Sequence, residues 1–237
     1  MVAAIILLVL GVIMSAIFIV SKVVNYSLKT IIFKTIASLF FVALAIVLFC
    51  TYSEGYFYFK LFTVLGLFFG MLGDLLLGFK YITTKTKKFW ILSGMFAFAV
   101  GHICYILGLL IEFYVPGNVI FMILPFTLPI LIITVYMIVA KKVGINFGRG
   151  MLLFGLFYLY CLTSMFSSSL SMVILHQFKV TTLVMFFIAA ICFATSDFML
   201  TGAYFKPGKR SKTYMATYSV FYYVAQFVIA FSIFFLA

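Results

Sequence analysis

The chain has 237 residues, 67% of them hydrophobic and only 8% charged, and its 16 Lys and Arg against 4 Asp and Glu give a formal net charge of +12. A soluble domain of this length needs a polar shell that such a composition does not supply, so the sequence describes an integral membrane protein built of helices. The positive charge does not point to nucleic acid, because the lysines form short clusters between apolar runs and there is neither a basic tail nor an aromatic-basic recognition module.

A hydrocarbon core about 30 Å thick takes about 20 residues of helix. Runs of that kind predict eight transmembrane helices in one domain, 1–237, taken here in chain order. The first, 2–20, lacks a basic leading region and a small-residue cleavage site before a polar mature domain, so it reads as a membrane helix and not a signal peptide. The second, 31–50, opens on Lys34. The third, 61–79, contains the string GMLGDLLLGF at 70–79, with Asp74 in an otherwise apolar run. The fourth, 90–112, carries His102 and Tyr105, and the fifth, 119–140, contains Pro125 and Pro129. The sixth is predicted over 151–168, where the string SMFSSSLS at 164–171 ends the apolar run. The seventh, 176–200, has His176 near its outer start and Asp197 near its other end; the eighth, 214–236, carries Tyr218, Tyr222 and Gln226. Cys50, Cys104, Cys161 and Cys192 lie in or beside apolar runs and form no CxxC, which reads as packing and not as disulfides or metal ligands.

The basic residues orient these spans. Lys22, Lys29 and Lys34, then Lys80, Lys85, Lys87 and Lys88, then Lys141, Lys142 and Arg149, and finally Lys206, Lys209, Arg210 and Lys212 cluster at alternate connections, leaving Lys60 and Lys179 for the other side. By the positive-inside rule those four regions are cytoplasmic and both termini face outward.

An aspartate at the centre of a membrane helix costs about 2.5–3.5 kcal/mol on insertion scales, so such residues face a bundle interior or a wet cavity. Small residues share their faces: Gly66, Gly70 and Gly73 run beside Asp74, and Ala190 and Ala194 step toward Asp197. Gly94, Gly101 and Gly108 flank His102 and Tyr105. Tyr218, Tyr222 and Gln226 recur every four residues along one stripe. Such residues mark helix–helix contacts. Both aspartates lie past the midpoints of helices running in the same direction, so with Lys34 they predict a polar pocket in the inner half of the bilayer. Two aspartates and one histidine without ligand-spaced cysteines make a poor zinc site, and no metal or cofactor is expected.

Five pieces in order give the chain a family likeness: Lys34 in FKTIASL, Gly73-Asp74, the Gly101-His102 to Tyr105 string GHxxY, Ser196-Asp197, and TYSVFYYVAQFVIA at 217–230. Together they resemble the YhhN/TMEM86 family of multispanning membrane proteins, which includes lysoplasmalogenases, although Thr35 stands where the family pattern has proline. The resemblance implies hydrolysis of the vinyl ether of a lysoplasmalogen to a fatty aldehyde and a glycerophospho-alcohol, with no cofactor. It implies Asp74 and Asp197 as an acid and base pair of undecided order, with His102 and Tyr105, three apart on one helical face, orienting a carboxylate or the water. Lys34 would meet the lipid phosphate, Tyr222 and Gln226 would line the pocket, and Tyr105 counts with these three as substrate-binding. The chemistry suits these residues. Protonating the β-carbon of a vinyl ether gives an oxocarbenium ion that water captures, which needs one protonated acid and one carboxylate near neutral pH. The expected partners are a lysophospholipid substrate and membrane lipids, and the expected location is the plasma membrane in a bacterial host.

Three other readings stay open at this level. A proton- or cation-coupled transporter would use the same carboxylates as a relay. A lipid-binding member without catalysis would keep the pocket. An intramembrane aspartyl protease also needs two membrane aspartates, but Met71-Leu72-Gly73-Asp74 departs from GxGD and no YD partner is present.

Overall fold

The computed structural model describes residues 1–237 apart from 53, 81, 83, 84, 147, 149, 209 and 237. Arg149 and Lys209, two of the basic residues used for topology, therefore lie outside the described residues. Among those described there are eight long helices and no strand: α1 (Val2–Val24), α2 (Leu28–Thr51), α3 (Phe57–Phe79), α4 (Lys87–Phe113), α5 (Ile120–Lys142), α6 (Leu152–Leu175), α7 (Thr181–Phe205) and α8 (Lys212–Ser232), the last followed by a 3₁₀ turn, Ile233–Leu236. All eight are long and apolar enough to cross a membrane, which makes the chain an integral multi-pass membrane protein.

Two predicted boundaries are corrected. Helix 6 does not stop at residue 168 but continues through the serines to Leu175, and helix 7 begins at Thr181 and not at 176. Two of the serines turn their hydroxyls back onto the helix: Ser168 Oγ donates to the Ser164 carbonyl at 2.8 Å and Ser169 Oγ to the Phe166 carbonyl at 2.7 Å. Bonded locally, a short polar side chain costs little in an apolar setting and lets a neighbour pack closely. His176 consequently caps α6 instead of starting α7, and its Nε2 donates to the Phe113 carbonyl at the end of α4, 2.9 Å away.

The glycine rows place the helices that build the site. α3 and α4 pack along their whole length. A methyl group on Gly94 would stand 2.6 Å from Leu77, on Gly101 2.9 Å from the Gly66 carbonyl oxygen, and on Gly108 3.1 Å from Phe62. These three glycines, seven residues apart, thus let the α4 backbone lie directly against α3. On α3 itself a methyl on Gly73 would meet the Phe98 ring at 2.6 Å, and one on Gly70 would meet Gln226 Nε2 at 2.9 Å, so the same face seats α8. α7 packs on α8, α6 on α4 and α7, and α5 hangs at the edge against α6. Pro125 and Pro129 lie within α5, and the Phe126 carbonyl between them accepts a hydrogen bond from the Tyr160 hydroxyl of α6 at 3.1 Å. At one end of the bundle Tyr52 contacts Met1 Sδ at 3.1 Å and packs on Phe234, so the two chain ends lie together. The lysine-rich connections lie at the other end.

Candidate active site

The chemistry is concentrated at that lysine-rich end. The second half of α3, the end of α7, the start of α8, and the adjoining parts of α1, α2, α4 and α6 enclose a cavity of about 90 Å³. Lys22, Lys34, Asp74, Tyr158, Asp197 and Tyr222 line it, together with apolar side chains that include Phe18, Leu77, Phe98 and Leu200. Asp74 and Asp197, 123 residues apart in the sequence, therefore share one wall-to-wall space, 2% and 4% exposed respectively.

Asp74 is held on every side. Its Oδ1 pairs with Lys34 Nζ at 2.8 Å, and its Oδ2 accepts from Ser38 Oγ at 2.6 Å and from the Tyr222 hydroxyl at 2.7 Å. The order of residues on α2 makes this possible, because Lys34 and Ser38 stand one turn apart and reach the same side chain. Behind Tyr222, Gln226 Nε2 donates to the tyrosine oxygen at 2.9 Å while Gln226 Oε1 accepts from the Tyr105 hydroxyl at 3.4 Å. The four-residue stripe of α8 is thus a hydrogen-bonded chain running from α4 to the carboxylate. An ammonium and two hydroxyl donors on one carboxyl group suit its ionised form.

Asp197 has a different setting. Its Oδ2 accepts a short hydrogen bond from the Tyr158 hydroxyl of α6, and the Tyr158 oxygen lies 3.4 Å from His102 Nε2. No cation pairs with Asp197 among the described residues, and its Oδ1 takes no hydrogen bond there. The neighbouring Ser196 turns away, its Oγ donating to the Tyr218 carbonyl at 2.8 Å and tying α7 to α8.

Of the seven residues singled out in the sequence, Lys34, Asp74, Asp197 and Tyr222 line the cavity, whereas His102, Tyr105 and Gln226 lie behind it and reach it through Tyr158 and Tyr222, so the connections differ from expectation. Lys34 does not point its charge toward the bundle surface; its ammonium is on Asp74. His102 and Tyr105 do not act on a common target: His102 leads through Tyr158 to Asp197, and Tyr105 through Gln226 and Tyr222 to Asp74. Three contributors, Ser38, Tyr158 and Lys22, escaped the sequence reading. Serine and tyrosine are ordinary in membrane helices, and Lys22 has the look of a juxtamembrane charge.

The fold and site define a class: a polytopic membrane helix bundle with two buried carboxyl groups facing a small cavity toward one end of the bundle. Residues 29–233, most of the chain, match the YhhN family, and the protein belongs to that family. No match was found among curated proteins or among solved structures.

Proposed function

We propose that the protein is a lysoplasmalogenase-type hydrolase that cleaves the vinyl ether of a lysophospholipid inside the membrane, with Asp197 as the acid and Asp74 as the fixed carboxylate. The observation that carries this reading is the contrast between the two carboxyl groups in one cavity, one ion-paired and doubly hydrogen-bonded, the other, among the described residues, without a cation and with one oxygen that takes no hydrogen bond. Membership in the YhhN family is compatible with it.

In this reading the alkenyl chain lies along Phe98 and Leu200, and the enol-ether carbons sit between the aspartates. The Asp197 carboxyl gives its proton to the β-carbon, the carbon–carbon double bond becomes the new C–H bond, and positive charge develops over the α-carbon and ether oxygen. Asp74, kept ionised by Lys34, stabilises that cation, as a carboxylate does beside other oxocarbenium ions. Water adds to the α-carbon and returns a proton to Asp197, and the hemiacetal collapses to aldehyde and glycerophospho-alcohol. Tyr158 keeps Asp197 turned toward the cavity, and His102 holds Tyr158. A proton donor and an ionised carboxylate acting together give a bell-shaped profile of kcat/KM against pH.

Aldehyde release by purified protein tests this, with lysoplasmalogens set against ester lysophospholipids of the same chain length. Aldehyde from the vinyl ether alone, lost in Asp74→Asn and in Asp197→Asn, is the expected result. Full activity in either folded variant would remove the two-carboxyl mechanism.

One observation favours a second reading, proton-coupled transport. Ser164, Ser167 and Ser171 fall on one side of α6 toward the end away from the cavity, and their buried hydroxyls have no hydrogen-bond partner among the described residues. Such a row offers polar groups to a relay. Proton flux into liposomes that is lost in Asp197→Asn, without lipid cleavage by the wild type, would support transport over hydrolysis.

A further inference from the structure

The cavity holds a second ammonium that the carboxylate chemistry does not use. Lys22, in the last turn of α1, lines it together with both aspartates. Its Nζ donates to Ser219 Oγ at 2.7 Å and stands 4.0 Å from the centroid of the Tyr218 ring. Ser219 in turn donates to the Met215 carbonyl at 2.8 Å, which leaves its oxygen lone pairs for Lys22. No carboxylate lies within ion-pair reach of Lys22 among the described residues. An ammonium has three protons to donate. One goes to Ser219 and the ring face takes no directed bond to oxygen, so donor capacity is left over on the cavity side.

Charge counting points the same way. Lys34 and Asp74 cancel, and if Asp197 is the protonated acid of the proposed reaction, Lys22 leaves the cavity with one positive charge in excess. A charge withdrawn from water is costly until it is paired. Its position matches an anion carried by a lipid. Lys22 is two residues from the end of α1, level with the lysine-rich connections, while Phe18 lies one turn further along α1 and lines the same cavity. An anionic headgroup followed by an apolar chain fits that sequence of surfaces.

We infer that Lys22, held by Ser219 and Tyr218, is the anchor for the phosphate of the lysophospholipid, and that it takes the role which the sequence alone suggests for Lys34. The identity of the lipid rests on the proposed function; the anchor itself rests on geometry. Lys22 also lies outside residues 29–233, so the family match does not carry it. A compact ammonium at interface depth needs only charge and one or two hydrogen bonds to hold a phosphate oxygen.

The test uses a ligand that no hydrolase of this kind cleaves. Full-length protein in nanodiscs is titrated with a 1-O-alkyl lysophosphatidylethanolamine, whose ether is saturated, and with 1-O-alkylglycerol, which has the same chain and no phosphate. Binding is read by microscale thermophoresis. Wild type is expected to prefer the phosphate-bearing lipid by about tenfold or more, the scale of a charged hydrogen bond. Lys22→Gln should bind the two lipids alike, with its affinity for alkylglycerol unchanged, and Lys22→Arg should keep most of the preference. No preference in wild type, an undiminished preference in Lys22→Gln, or an equal loss of both ligands in that variant would each overturn the anchor. Inorganic phosphate bound as tightly as the lipid, in a Lys22-dependent way, would overturn its assignment to a lipid. A Lys22-dependent preference in a protein that releases no aldehyde would keep the anchor and end the hydrolase reading, so the two failures are separable.

Discussion

Asp74 and Asp197 stand in helices of the same direction, in similar apolar strings, and face one cavity, yet their surroundings divide them. Asp74 has a cation and two hydroxyl donors, and its environment would be spoiled by a proton. Asp197 has one tyrosine hydroxyl and no cation among the described residues. The difference shows that a buried carboxyl group is not defined by its depth. What decides its chemical role is which other helices bring donors to it. Here α2 and α8 converge on Asp74, while among the described residues α6 alone brings a donor to the Asp197 carboxyl group.

The largest effect should come from removing the proton donor. Asp197→Asn should lower kcat/KM for vinyl-ether hydrolysis by about 10²–10⁴-fold, the usual contribution of a general acid, with thermal unfolding in detergent little changed because no ion pair is broken. Asp74→Asn should behave differently, losing activity and also stability. Taking one partner from a buried ion pair costs about 3–5 kcal/mol because the other charge is left uncompensated, and the double change Lys34→Gln, Asp74→Asn should recover much of that loss. If the two asparagine variants destabilise equally, the contrast between the carboxyl groups is wrong.

A smaller effect is expected one step back from the cavity. Tyr158→Phe deletes the hydroxyl between His102 and Asp197, and a hydrogen bond to a neutral carboxyl group contributes about 0.5–1.5 kcal/mol. The variant should lose activity by about 2–10-fold and shift the alkaline limb of the pH profile. Tyr222→Phe, which removes one of three donors from Asp74, should leave that limb in place. The smallest effect belongs to the far end of the bundle. His176→Ala removes the hydrogen bond to Phe113 and should cost about 1 kcal/mol of stability, with kcat/KM unchanged.

The sequence carried the helix count and the expensive residues, because an ionisable group in an apolar run has few bland explanations. Asp74, Asp197, Lys34 and His102 were legible for that reason, and Tyr222 and Gln226 through their four-residue step. The glycines at 66, 70 and 73, and at 94, 101 and 108, correctly marked close helix contacts, since a missing side chain matters where another backbone must approach. Pairings between distant helices were not legible. Nothing in the local spacing tells that Ser38 of α2 meets Asp74 of α3, or that Tyr158 of α6 meets Asp197 of α7, because each partner is an ordinary membrane-helix residue until the bundle assembles. The end of α6 differs from the sequence reading for a related reason: the serines interrupt the apolar run, while the helix continues through them to Leu175 and buries them against its neighbours.

The central claim is that Asp197 protonates the β-carbon of a vinyl ether. Hydrolysis of a lysoplasmalogen in D₂O, with the aldehyde trapped as it forms and weighed by mass spectrometry, tests it most directly. The account predicts aldehyde bearing one deuterium at carbon 2, formed by wild type and not by folded Asp197→Asn. Aldehyde without deuterium at that carbon, or undiminished aldehyde from the variant, would contradict it.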